Sequence, residues 1–195
     1  MPKTFPGTTI EITRLERGAS RTLFDGIFAT GGITLSQVSI MTGLEYYIVQ
    51  NWVKRGFLSS PKKRVYSRAQ FARIIIINML REALQIEKIS GLIKAIGGAL
   101  DDESDDLISD DELYHRYVDM LADKNIDVKN KESVREAAER AAADFDEKTS
   151  GAKQKLLRIL EVMFYAHSAA MLRERAEELL AGLDDVGGKN DKATR

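Results

Sequence analysis

Between Glu45 and Tyr66 the chain gathers side chains whose types and spacing suit contact with a polyanion. Glu45, Tyr46, Tyr47, Gln50, Asn51 and Lys54 come first, then the basic run Lys62-Lys63-Arg64, then Tyr66. Gln and Asn can each hydrogen-bond an adenine edge through two atoms. Aromatic rings and hydroxyls can meet thymine methyls or phosphates, and Lys and Arg can take phosphates. The other groups able to do chemistry are sparse. There are two histidines, His115 and His167, with no H-E-x-x-H spacing, and no cysteine at all. A zinc finger, an iron–sulfur cluster, a thiol nucleophile and a disulfide scaffold are therefore excluded as readings, no metal site is expected on the histidines, and each is expected to be buried and hydrogen-bonded. Gly31-Gly32 lacks the following Lys-Ser/Thr of a phosphate-binding loop. Carboxylates are plentiful after residue 101, but as solvated helix faces and not as a catalytic pair. No catalytic set, metal or cofactor is expected, so the reading is not an enzyme.

The elements that must position the basic residues are helical. Thr34-Leu35-Ser36-Gln37 has the spacing of a capping box, in which the Thr hydroxyl and the Gln side chain each satisfy the other's backbone N–H. The helix it opens ends at Gly43, because glycine tolerates the left-handed turn. A second helix is expected from about Glu45 to Arg55, with Ile48, Val49 and Trp52 as its apolar stripe and Gly56 as its stop. Phe57 to Tyr66 reads as a short β-hairpin with a basic tip. Ser67-Arg68-Ala69-Gln70 is a second capping box, opening a helix through Ile74-Ile75-Ile76-Ile77. Four isoleucines favour a strand by propensity, yet the cap and the flanking Arg, Ala, Met and Leu favour a helix that is apolar nearly all round. A further helix ends at Gly97. Ser109 to Glu112 is a third capping box, residues 131–148 form a charged, Ala-rich helix, and residues 152–182 form one long helix without sustained heptads.

Charge is unevenly spread. The chain has 195 residues and a net charge of −1. Residues 34–100 hold 10 Lys and Arg against 3 Asp and Glu, a net of +7, while residues 101–150 hold 7 against 17, a net of −10. This split predicts two modules with different partners. The expected division is an N-terminal extension at 1–19, a winged-helix domain at 20–98, an acidic linker at 99–108, a helical dimerisation or effector module at 109–183, and a disordered tail at 184–195. The acidic run Asp101 to Asp106 lacks the alternating ligands and the sixth-position glycine of a calcium loop. No apolar run reaches the ~18 residues of a membrane span, and the first residues lack a secretory core. A cytoplasmic protein is the expectation.

The run T-G-L-E-Y-Y-I-V-Q-N-W-V-K-R-G-F-L, followed by R-V-Y-S-R-A-Q-F, resembles the DNA-binding domain of MerR-type regulators over about residues 34–97. The stretch K-R-G-F-L-S-S-P-K-K-R-V-Y-S-R is similar to an uncharacterised bacterial domain-of-unknown-function family with a MerR-like fold. The resemblance implies a winged helix-turn-helix, with a phosphate contact at Arg64 in an Arg-x-Tyr wing motif. It departs from the MerR pattern at Gln50, where an arginine is usual, in a shorter wing, and in an acidic segment where MerR proteins run straight into a long dimerisation helix.

The expectation is a mainly α protein with a short β wing and a C-terminal helical bundle module. Its partner would be double-stranded DNA, read in sequence by a homodimer that regulates transcription and carries an effector or protein partner on the C-terminal module. The alternative is a protein-interaction adaptor whose winged helix does not read DNA.

Overall fold

A computed structural model describes residues 4–97, 107–123, 125–147 and 149–187. In order, the elements are α1 (Ala19–Ile27), β1 (Ile33–Thr34), α2 (Leu35–Thr42), α3 (Tyr46–Lys54), β2 (Val65–Tyr66), α4 (Arg68–Leu80), α5 (Ile86–Gly97), α6 (Asp110–Leu121), α7 (Lys131–Ala141) and α8 (Ala152–Gly187). The protein is mainly helical, and the one small sheet among the described residues pairs β1 with β2 antiparallel, Ile33 opposite Tyr66 and Thr34 opposite Val65.

Helix α4 is the centre. Both halves of its capping box form: Gln70 N–H donates to the Ser67 hydroxyl and the Gln70 side chain accepts from Ser67 N–H. Ile74, Ile75, Ile76 and Ile77 are all fully buried. A strand would bury two opposed faces, whereas this helix is covered around its circumference, mainly by α6, α8, α2 and α5. Covering all sides overrides the β-propensity of isoleucine, since each buried Ile contributes roughly 1.5–3 kcal/mol.

The N-terminal segment, expected as an extension, is bolted onto α4. Gly7 has φ 73°, and a Cβ there would lie 2.5 Å from the Ile75 carbonyl oxygen, so only glycine allows this approach. Asn78 donates to both Gly7 O and Thr42 O at 3.1 Å, and the Tyr114 hydroxyl donates to Pro6 O at 3.0 Å. No apolar periodicity announces these contacts, because they are made by backbone carbonyls.

The charge boundary is not a packing boundary. Helix α6, at the start of the expected second module, lies on α4 and α1, and the buried apolar residues run without a break from Phe5 to Ala166. Arg73 of α4 donates to Asp110 of α6 at 2.6 and 3.2 Å, and both side chains are nearly excluded from solvent. Arg68 reaches Asp25 and Asp111, while Arg21 reaches Glu112 and Asp119. The acidic start of α6 is thus spent on arginines of α1 and α4.

Several local expectations need correction. Phe57–Leu58 does not pair with Val65–Tyr66 as the second arm of a hairpin; the partner of β2 is β1, before α2. Gly31-Gly32 permits this, because a Cβ at Gly32 would fall 2.8–2.9 Å from Val65 and the Tyr66 carbonyl. The third capping box is half-made. Glu112 N–H donates to the Ser109 hydroxyl, but the Glu112 carboxylate turns to Arg21 and Arg116. Helix α7 stops at Ala141, whose carbonyl accepts from Arg116, and does not reach residue 148. Helix α8 continues to Gly187, into the expected tail. The acidic run 101–106, read as linker and not as calcium loop, lies outside the described residues, as do residues 188–195.

Helix α8 leaves the core partway along. Leu156, Leu160 and Met163 are buried, but Tyr165, Ala169, Leu172, Ala176, Leu179 and Leu183 are all exposed. These six follow alternate steps of four and three residues, the spacing of a coiled-coil seam. The sequence reading missed it because two of its six positions are alanine.

Candidate nucleic-acid interface

Helices α2 and α3 are joined by the three-residue turn Gly43–Glu45. Gly43 has φ 71°, and its N–H donates to Ser39 O. Both parts of the Thr34–Gln37 capping box are present. Helix α3 buries Val49 and Trp52 and turns its other side outward. Tyr47, Gln50, Asn51 and Lys54 fall at successive positions i, i+3, i+4 and i+7, so they share that outer face, and all four are exposed. Glu45 caps the helix without a side-chain hydrogen bond and is exposed as well. Tyr46 is tethered, its hydroxyl donating to the Ser36 hydroxyl at 3.2 Å.

The basic run forms a tight turn. Val65 N–H donates to Lys62 O at 3.1 Å, and the two central residues, Lys63 and Arg64, have φ of 52° and 66°. Two successive positive φ values mark the mirror-image turn that hairpins usually build from Asn-Gly. Placing two long side chains there costs about 1–2 kcal/mol each. Lys62, Lys63 and Arg64 are exposed, and among the described residues none of them, nor Lys54, has an ion-pair partner.

Between α3 and this turn lies an open groove of about 480 Å³ lined by Leu35, Gln50, Val53, Lys54, Pro61, Arg64 and Tyr66. It brings together four of the residues singled out in the sequence: Gln50, Lys54, Arg64 and Tyr66. Glu45, Tyr46, Tyr47 and Asn51 lie along the same helix outside the groove, and Lys62 and Lys63 stand at the turn. Tyr66 needs correcting as a contact residue. It is 3% exposed, and burial raises its pKa. It is a wall of the groove and the strand partner of Ile33. Sequence reasoning missed Leu35, Val53 and Pro61 as lining, and it missed Ile40, which is 72% exposed on α2. A large apolar residue at a position outside the α2 stripe was the available signal for Ile40.

Not every cation in this half of the chain is free. Arg55 pairs with Glu87 at 2.6 Å and lies over the Phe57 ring at 4.7 Å. With Arg68, Arg73 and Arg81 also paired, the cations of residues 34–97 without an ion-pair partner among the described residues are Lys54, the three of the Lys62–Arg64 turn, and Lys88 and Lys94 on α5. The histidines add none. His115 is buried with Nδ1 3.0 Å from the Ser20 hydroxyl, and burial, then the Arg21 charge, lower its pKa to about 4. His167 lies 2.9 Å from the Tyr117 hydroxyl, and burial lowers its pKa to about 4. Both are neutral at pH 7. No cluster of three metal-ligating side chains occurs among the described residues, and no helix there is long and apolar enough to cross a membrane.

Comparison with known proteins places this region in a wider set. Residues 33–117 match the model of a family described as Domain of unknown function (DUF1836). The match starts at β1 and ends within α6, so it takes in Asp110, the partner of Arg73. Over 187 residues the chain is 22% identical to a protein of Bacillus subtilis (strain 168), named Uncharacterized protein YkrK, covering 88% of this chain and 78% of that protein. No solved structure shows a significant match.

Proposed function

We propose that the chain is a DNA-binding regulator built on a MerR-like winged helix-turn-helix. Helix α3 enters the major groove and the Lys62–Arg64 turn holds the phosphate backbone. The observation that carries this reading is the groove between α3 and the turn. Lys54 and Arg64 converge on it, and among the described residues no carboxylate lines it or pairs with the cations around it. The conformational cost carried by Lys63 and Arg64 supports the same reading, since strain that packing does not require points to a task.

The test is fluorescence anisotropy of the full chain on mixed duplex DNA across a salt series. Replacing Lys62, Lys63 and Arg64 together by Ala lowers the slope of log affinity against log salt by up to about 2.7, the value for three lost phosphate contacts. An unchanged slope removes the turn from the interface. The adaptor reading draws on the exposed Ile40 and Tyr47, 72% and 68% exposed, which a protein partner could cover. A complex from lysate that survives nuclease favours that reading.

For the assembly, we propose that the exposed seam of α8 pairs with the same seam of a second copy. The apolar positions carry this reading, since Arg173 and Arg175 beside the seam are already paired within the chain, with Glu82 and Glu177 and with Glu178 respectively. A dimer would also present two α3 helices to two half-sites. Replacing Leu172 and Leu179 by Glu yields a folded monomer by light scattering, with DNA affinity reduced at least about tenfold. A variant that stays dimeric overturns this assembly.

A further inference from the structure

We infer that α3 selects A·T base pairs, with Gln50 and Asn51 as the readers of adenine and with Tyr47 and Ile40 against thymine methyls. This rests on the DNA reading above. Its basis is the distribution of side-chain types over the exposed surface. The first two turns of the outer face of α3 offer Tyr47, Gln50 and Asn51, two amides and a ring, and no cation. The usual reading of guanine takes two donors from Arg or Lys against its O6 and N7, whereas Gln and Asn supply the donor and acceptor that match adenine N7 and N6. Lys54 stands on the last turn, beside the groove that would take backbone, and Arg55 is held by Glu87 and Phe57.

The apolar part of the surface has the same preference. Ile40 lies one turn from Ser36 on α2, and Ser36 holds the Tyr46 hydroxyl, so Ile40 borders the start of α3. Among the described residues, Ile40 and Tyr47 are the two most exposed large apolar side chains, at 72% and 68%. The apolar feature that the major groove offers is the C5-methyl of thymine. Glu45 at the helix start can accept from the exocyclic amine of adenine or of cytosine, so it does not set the preference.

The experiment is competition by alternating duplexes at one salt concentration against full chain bound to labelled mixed DNA. An I·C duplex shares the minor groove of A·T but shows the major-groove O6 and N7 of G·C, so comparing A·T with I·C isolates major-groove readout. The expected result is that A·T competes at least about tenfold better than I·C, the lower range for one bidentate pair. Gln50→Arg, at an exposed position that leaves the core untouched, moves the preference toward I·C. Equal competition by both duplexes, a preference for I·C, or an unmoved preference in Gln50→Arg overturns the inference while DNA binding stands. If no duplex displaces the label and the mixed DNA itself does not bind at low salt, the DNA reading falls and this inference falls with it.

Discussion

Two cation-bearing regions of this molecule do opposite things with charge. At the joint of α1, α4 and α6, Arg21, Arg68 and Arg73 are each met by carboxylates, and Arg73 with Asp110 is almost sealed from water. At the α3 groove, Lys54, Lys62, Lys63 and Arg64 are exposed and meet no carboxylate among the described residues. The first arrangement consumes charge to fix the packing of α6 on α4. The second keeps charge open, at a cost in backbone conformation. Summed net charge cannot separate them, since Arg68 and Arg73 of the joint count toward the same +7 as the four groove cations. What separates them is where the acidic side chains of α6 lie: Asp110, Asp111, Glu112 and Asp119 face the arginines of α1 and α4. The acidic segment does not mask the groove with these residues; it neutralises the arginines at the joint.

The comparison breaks most visibly at the buried pair. Asp110→Ala leaves the Arg73 guanidinium buried without its partner and destabilises the fold by roughly 3–5 kcal/mol, read by urea unfolding. The double variant Arg73→Met with Asp110→Leu recovers most of that loss, because removing both charges removes the desolvation penalty as well. In the same double variant the salt slope of DNA binding is unchanged, since neither residue faces the groove. A double variant as unstable as Asp110→Ala would show that the pair itself, and not an unpaired charge, carries the stability. A lowered salt slope would show that the two regions are electrostatically one.

The legible parts of this fold were those written in local code. The boxes at Thr34 and Ser67, the stop at Gly43 and the stripe of Val49 and Trp52 need only a few neighbouring residues, and they appear where the spacing puts them. What could not be read depends on partners distant in sequence. The strand partner of Val65–Tyr66 is Ile33–Thr34, about thirty residues earlier, and the glycine that makes room for it carries no hydrophobic signal. The tie of Gly7 to Asn78 passes through a backbone carbonyl. The continuity of α6 with α4 was hidden by charge, which suggested separation where Arg73 and Asp110 in fact attract across the boundary. On the candidate site, residue types and exposure on α3 were legible from the helical period, while Tyr66 was misplaced. Successive residues of a strand alternate faces, so the two ends of Arg-x-Tyr share one, and with Arg64 outward the two-residue spacing alone would put Tyr66 outward too. The positive φ at Arg64 breaks that alternation and lets Tyr66 turn inward.

The finest edge of the comparison is the turn itself. If Lys63 and Arg64 hold left-handed conformations for the sake of their charge, then Lys63→Asn with Arg64→Gly relieves the backbone without disturbing its path. The expected gain is about 1 kcal/mol, or roughly 2–4 °C in Tm for a chain of this length. The same variant loses two cations, so its salt slope falls by about 1.8. Lys63→Ala with Arg64→Ala is the control: it loses the same charge but keeps a Cβ at both left-handed positions, and so binds like the Asn-Gly variant without its added stability. If the Asn-Gly variant is no more stable than the Ala-Ala variant, the turn carries no strain. The conformation of Lys63 and Arg64 then points to no task, whatever the salt slope shows. If it is more stable and binds less, stability at the groove has been given up for charge, the reverse of what Arg73 and Asp110 do at the joint.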